Sequence, residues 1–184
     1  GIVHAYVDPS YTIYGKAGSL VERFTADIVV DGIWQYQKFV PGRGIQDRKL
    51  HFNGNAALHG GWAIGGGYFV ESFGYDSALY ANYRLEVPRA GGGLDTVAFV
   101  GQPTIPNSEF IIQGNTPQWQ HFSANGYFLY GNDENYSEWA SAHLIYSGLG
   151  ITYRPTDRLR ADFSYSWQQV NRRTDGSLVS VGRI

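Results

Sequence analysis

The chain has 184 residues and a net charge of −2, and only 16% of its residues are charged, against a usual ~25%. This balance excludes the basic field that nucleic acid or an anionic lipid surface selects. The absence of cysteine excludes disulfides, thiol catalysis and thiolate metal sites.

Aromatic residues make up 16% of the chain, including 14 Tyr and 5 Trp, and there are 24 glycines. That composition suits amphipathic β-structure and is poor in the residues that build surface helices. No run of about 18 apolar residues offers a membrane-spanning helix. The chain contains no Met and opens on Gly1-Ile2-Val3-His4, already strand-like, so the expectation is a processed or partial chain forming a single all-β domain over residues 1–184.

A period of two then recurs along the chain. Phe24, Ala26, Ile28, Val30, Gly32, Trp34 and Tyr36 alternate with Arg23, Thr25, Asp27, Asp31, Gln35 and Gln37, which predicts a strand over 23–37. The turn signal Pro41-Gly42-Arg43-Gly44 ends it. A second run, 51–71, sets Phe52, Ala56, Leu58, Trp62, Ile64, Tyr68 and Val70 against His51, Asn53, Asn55 and His59. A third places Leu79, Ala81, Tyr83, Leu85 and Val87 opposite Tyr80, Asn82, Arg84 and Glu86. Residues 88–107, which include Gly91-Gly92-Gly93, read as one long Gly/Pro-rich loop.

Further on, Pro155-Thr156-Asp157 marks a turn before the clearest alternation of all. Leu159, Ala161, Phe163, Tyr165 and Trp167 oppose Arg160, Asp162, Ser164, Ser166 and Gln168. Thr174-Asp175-Gly176 is a hairpin signal. The reading is an all-β antiparallel meander of about eight or nine long amphipathic strands, forming a barrel-like or strongly curved sheet.

The medium facing the apolar side is the functional question. Strands well beyond the usual ~5–6 residues, with aromatics near their ends (Trp34, Tyr36, Trp139, Tyr153, Trp167), match a membrane barrel with its aromatic girdles. A soluble β-sandwich or curved sheet with an aromatic core is the alternative that alternation alone leaves open.

Several stretches carry a resemblance. They are Leu58-His59-Gly60-Gly61-Trp62, Glu71-Ser72-Phe73-Gly74-Tyr75-Asp76, Leu79-Tyr80-Ala81-Asn82-Tyr83-Arg84, Ile105-Pro106-Asn107, Gly131-Asn132-Asp133-Glu134-Asn135, Glu138-Trp139-Ala140-Ser141-Ala142, Tyr153-Arg154-Pro155-Thr156-Asp157 and Arg172-Arg173-Thr174-Asp175-Gly176-Ser177. From about residue 50 onward the chain resembles the carboxy-terminal β-barrel region of an uncharacterised bacterial outer-membrane family that carries an amino-terminal carbohydrate-binding-module-like domain. The resemblance implies part of a large barrel in the envelope of a Gram-negative bacterium. The family's amino-terminal domain has no counterpart here, and Val181-Gly182-Arg183-Ile184 lacks the terminal aromatic residue of outer-membrane barrels.

No catalytic constellation emerges, and no enzymatic activity or cofactor is expected. His4, His51, His59, His121 and His143 are scattered; His51 and His59 would share a strand face but lie about 26 Å apart, too far to share a metal. Asp133-Glu134-Asn135 offers oxygen ligands for Ca²⁺, and the favoured reading is a solvated turn. Gly65-Gly66-Gly67 lacks the Lys-Ser/Thr of a phosphate loop and reads as small residues admitting a close neighbour.

The expected function is a non-enzymatic structural protein of the cell envelope, anchoring or forming a passage in the outer membrane. The alternative is a membrane-extrinsic accessory subunit on the periplasmic face of a larger membrane complex, such as a respiratory or photosynthetic assembly. Its expected interaction surface is Trp34, Tyr36, Trp139, Phe163, Tyr165 and Trp167, and its expected partners are the lipid bilayer or membrane-protein subunits, with glycan contact and no nucleic acid.

Overall fold

The computed structural model describes residues 1–41 and 44–183. In chain order the strands are β1 (Ile2–Val7), β2 (Ser10–Tyr14), β3 (Val21–Gln35), β4 (Asp47–Leu58), β5 (Trp62–Gly74), β6 (Arg84–Pro88), β7 (Leu94–Ala98), β8 (Thr104–Asn115), β9 (Phe122–Asn135), β10 (Ala140–Thr156), β11 (Leu159–Arg172) and β12 (Leu178–Arg183), with one helical turn, α1 (Tyr36–Phe39), after β3. Every pairing is antiparallel, in the order β1-β3-β4-β5-β8-β9-β10-β11-β12 with β2 also on β3, while β6 and β7 form a separate hairpin.

β1 and β2 act as one edge strand. Ile2 faces Gln35, Val7 faces Val30, Ser10 faces Asp27 and Tyr14 faces Arg23, all in one unbroken register. Pro9 interrupts the ladder because it has no N–H, although its carbonyl accepts from Ile28 N at 3.1 Å. An edge strand is where proline is tolerated. Counted this way the large sheet is the long-stranded meander that the alternation predicts. Among the described residues its two outer strands do not pair with each other, so it is a curved sheet rather than a closed barrel.

The two faces differ in an unusual sense. On β3, Phe24, Ala26, Ile28 and Val30 are exposed, whereas Thr25, Asp27, Val29 and Asp31 are half-buried. On β5, Trp62, Ile64, Tyr68 and Val70 are exposed, whereas Gly65, Glu71 and Phe73 are buried. Side chains converge on the concave side of a curved sheet and splay apart on the convex side, so the polar face is concave and the apolar face convex.

Glycine makes the concave side crowd together. A Cβ on Gly65 would lie 2.2 Å from the Asn55 amide oxygen, one on Gly148 would lie 2.4 Å from the Tyr127 ring, and one on Gly150 would lie 2.2 Å from the Asn125 amide oxygen. The close-approach reading of Gly65-Gly66-Gly67 therefore holds.

The packed core sits at one end. Phe73, Tyr80, Ile105 and Trp139 are buried together, with Tyr75 and Phe99 against them, beneath the excursion 75–103 that connects β5 to β8. Trp139 adopts φ 49, a left-handed conformation rare for a bulky residue. Its ring is held by an Nε1 hydrogen bond to Gln102 O at 2.7 Å and by Tyr75 and Tyr80 at 5.5 and 5.6 Å.

Four expectations are corrected. The run 51–71 is a hairpin rather than one strand, turning at Gly60 and Gly61 with φ 80 and 86. The run 79–87 is mostly turn, and only its end joins β6, with Tyr80 going to the core. The expected loop 88–107 contains β7 and the start of β8, with Gly91-Gly92-Gly93 turning the β6–β7 hairpin at positive φ. Tyr36 leaves strand geometry for α1. Within Pro41-Gly42-Arg43-Gly44, residues Gly42 and Arg43 lie outside the described residues, as does Ile184.

Gly131 tests the crowding. A Cβ there would lie 2.3 Å from Glu109 Cα, a backbone atom that cannot swing away. Gly131→Ala is expected to lower unfolding stability by about 1–3 kcal/mol. Gly114→Ala, whose Cβ meets only Ala63 O at 3.4 Å, is expected to stay near wild type. Denaturant midpoints of the two variants check this, and equal midpoints would contradict it.

Candidate functional site

The convex face carries a continuous apolar band. Its outward residues run from Leu50 to Leu58 on β4, Trp62 to Val70 on β5, Phe122 to Tyr130 on β9, Ile145 to Tyr153 on β10 and Leu159 to Trp167 on β11. Each run spans about 27 Å along its strand at ~3.4 Å per residue. Tilt shortens the projected height toward the ~25 Å apolar belt of outer-membrane barrels. The registers align the runs: Leu50 faces Val70, Leu58 faces Trp62, Phe122 faces Tyr153 and Tyr130 faces Ile145.

Aromatic residues border the band at both ends. At one end Trp62 meets Trp119 at 5.6 Å, and Trp119 stacks on Phe122 at 5.9 Å. Toward the other, Phe52, Tyr68, Phe110 and Tyr130 form a cross-strand row. Beyond that row β8, β9 and β10 turn polar at Ser108, Asn132 and His143, while β3, β4 and β5 stay apolar for one more position at Val30, Leu50 and Val70. Rings with one apolar and one wet side favour such a boundary.

The concave face is mostly polar, with Phe69, Ile111, Leu129 and Leu144 among its polar residues, and is acidic at the end that carries the packed core. Glu71, 8% exposed, accepts from His51 Nε2 at 2.7 Å and lies 3.7 Å from Lys49 Nζ. Carboxylate oxygens of Glu71, Asp133 and Glu134 lie within 4.8 Å of one another. Oxygen clusters suit hard cations, but Glu71 is already engaged by His51 and Lys49, so the arrangement reads as a structural network. Asp133 and Glu134 therefore sit half-buried at the end of β9, which corrects the solvated-turn reading.

Glu134 lies beyond the apolar run of its strand. Burial, and then the hydrogen bond and charge of Asp133, push its carboxyl up to about 8. Nearby, Arg172 Nε donates to both Glu138 oxygens at 2.8 Å, and Asn135 Nδ2 donates to Glu138 at 3.0 Å, tying β11 to the β9–β10 turn.

The six expected interaction residues do not form one surface. Phe163, Tyr165 and Trp167 share the convex face of β11, with Phe163 58% exposed. Trp34 lies over Gly32 and packs edge-on against Phe39 at 5.5 Å near the opposite edge of the sheet, and Tyr36 is exposed on α1. Trp139 is buried at 6% exposure and belongs to the end core, which removes it from any contact surface. His51 pairs with Glu71 and His59 with Glu22, so the two histidines, on β4 and just past its end, serve different partners.

The acidic network has no local sequence signal. Glu71 and Asp133 meet only because β5, β8 and β9 are in register, with Glu71 facing Asn107 and Ser108 facing Asn132. The apolar band, by contrast, follows from alternation visible in each strand. No protein-family model, curated protein or solved structure matches this chain.

The raised Glu134 carboxyl has a consequence for stability. The folded state retains a proton that the unfolded chain releases above the ordinary carboxylate range, so stability is fully present below about pH 4.5 and falls as pH rises toward about 8. Thermal melts from pH 5 to 9 are expected to show that fall in the wild type and a smaller one in Glu134→Gln. Parallel profiles would contradict the assignment.

Proposed function

We propose that the chain is a non-enzymatic structural β-protein of the bacterial cell envelope that forms a segment of outer-membrane barrel wall, serving anchorage or passage. One observation carries the reading: an apolar band about as tall as a hydrocarbon layer, with aromatics toward its ends, on the convex side of a sheet whose concave side is mostly polar. A water-soluble sheet puts its apolar face toward a core, and this one points it outward.

The open edges favour a second reading. In lipid, each unpaired backbone group costs several kcal/mol, and the outer edge formed by β1 and β2 leaves Ile2, Tyr6, Tyr11 and Tyr14 exposed. A subunit that presents edge and aromatic surface to a neighbouring membrane protein satisfies those groups without entering the bilayer itself.

Ile112, at the middle of the band and 50% exposed, separates the two. If the face meets lipid, Ile112→Lys is expected to weaken partition into phosphatidylethanolamine–phosphatidylcholine vesicles by about 2–4 kcal/mol. Gln113→Lys, on the polar face, is expected to leave partition unchanged. A chain that stays in solution without detergent and responds equally to both substitutions would contradict the lipid reading and support the accessory-subunit one.

A further inference from the structure

We propose that the concave face holds a binding trough for a neutral oligosaccharide, between the β8–β9 turn and the lower halves of β9, β10 and β11. A cavity of about 520 Å³ lies there, within the roughly 300–1,000 Å³ of small-molecule sites. It is lined by the amides of Asn115, Gln118 and Asn125 and the hydroxyls of Ser123, Thr152 and Ser164. A second hollow of about 210 Å³ shares Asn125, Gly150 and Ser164 with it and continues toward Tyr127 and Ser166, so the two form one trough.

The lining decides the ligand class. Each amide presents donor and acceptor side by side, and each hydroxyl can be either, which matches the paired hydroxyls of a sugar ring. The one ionisable residue in the lining is Asp162, and it is already neutralised: the Arg160 guanidinium binds both its oxygens at 2.7–2.9 Å, and Thr152 Oγ1 donates to it at 2.6 Å. Within the lining no charge is left unpaired; the Arg154 charge, which is felt at Asp162 from outside the lining, makes an acidic sugar the discriminating control. The side-chain amides of Asn115, Gln118 and Asn125 are not taken up by internal hydrogen bonds among the described residues, so their capacity is open to a ligand.

Glycine shapes the floor. At Gly150 and Gly148 the absent Cβ atoms let the Asn125 amide and the Tyr127 ring lie flat across the strand beneath. Tyr127 and Tyr146, with ring centroids 5.0 Å apart, close the upper end with aromatic surface of the kind that packs on a sugar's C–H face. On β11, β12 pairs only Trp167 to Asn171, so the part of β11 that borders the trough is a free edge among the described residues, and Ala124, Ile151 and Phe163 also line the cavity. The open amides and hydroxyls on the face are what favour sugar hydroxyls over a peptide. The inference stands on the concave face alone, so a chain that failed to enter vesicles would leave it intact.

The test is titration of the full chain, in buffer or detergent as its solubility requires, with maltohexaose, cellohexaose and chitohexaose by calorimetry, with an oligogalacturonate as the acidic control. Saturable binding of at least one neutral hexasaccharide is expected, weakened about tenfold in Asn125→Ala and similarly in Ser164→Ala, with far-ultraviolet circular dichroism unchanged. Absence of saturable binding by all three neutral sugars overturns the proposal, as does binding that neither folded variant weakens. Equal or tighter binding of the oligogalacturonate overturns the neutral class.

Discussion

Apolar side chains on the outer face of a single curved sheet must be withdrawn from water. Among the described residues no second layer of strand or helix withdraws them. The buried apolar residues are Phe73, Tyr80, Ile105, Trp139, Ala142 and Leu144, and four of these belong to the core at one end. The remaining length of β3, β4, β5, β8, β9, β10 and β11 is held by the backbone ladder and by cross-strand pairs such as Phe52–Tyr68 and Phe110–Tyr130. The medium or partner that covers the convex face is thus a component of the fold, and the proposed function rests on that requirement.

The concave face supplies the complementary half of the account. Curvature draws its side chains together, and the sheet accommodates them by alternating glycine with amides and tyrosine: Gly65 under Asn55, Gly148 under Tyr127, Gly150 under Asn125. At the core end burial, and after it the neighbouring Asp133 carboxylate, hold a proton on Glu134 well above the usual range. At the other end it produces a neutral trough. One geometric cause therefore gives two chemically different surfaces, set by which residues the strands bring to each height.

Much of the fold is legible in sequence because strand geometry repeats every two residues. Leu159 to Trp167 announces its faces without help from any other part of the chain. The β4–β5 turn is hidden for a specific reason: Leu58 and Trp62 are separated by three residues, an odd-numbered turn that preserves parity, so the alternation runs through Gly60 and Gly61 as if the strand continued. Around Tyr80 the opposite happens, and a turn imitates alternation. The Glu71–Asp133–Glu134 network and the burial of Trp139 depend on register and on the docking of residues 75–103, neither of which leaves a local pattern. Of the expected interaction surface, Phe163, Tyr165 and Trp167 are readable because they share a strand; the places of Trp34, Tyr36 and Trp139 are set by the path of the chain beyond the strand ends.

The central claim is that the convex face meets hydrocarbon and the concave face meets water. Because the chain has no native cysteine, single cysteines at Ile112, Phe163, Gln113 and Ser164 can each carry a nitroxide label in lipid vesicles, with accessibility to oxygen and to an aqueous nickel chelate measured for each. The account predicts high oxygen accessibility at Ile112 and Phe163 and high nickel accessibility at their neighbours Gln113 and Ser164. Equal nickel accessibility at all four positions would contradict it.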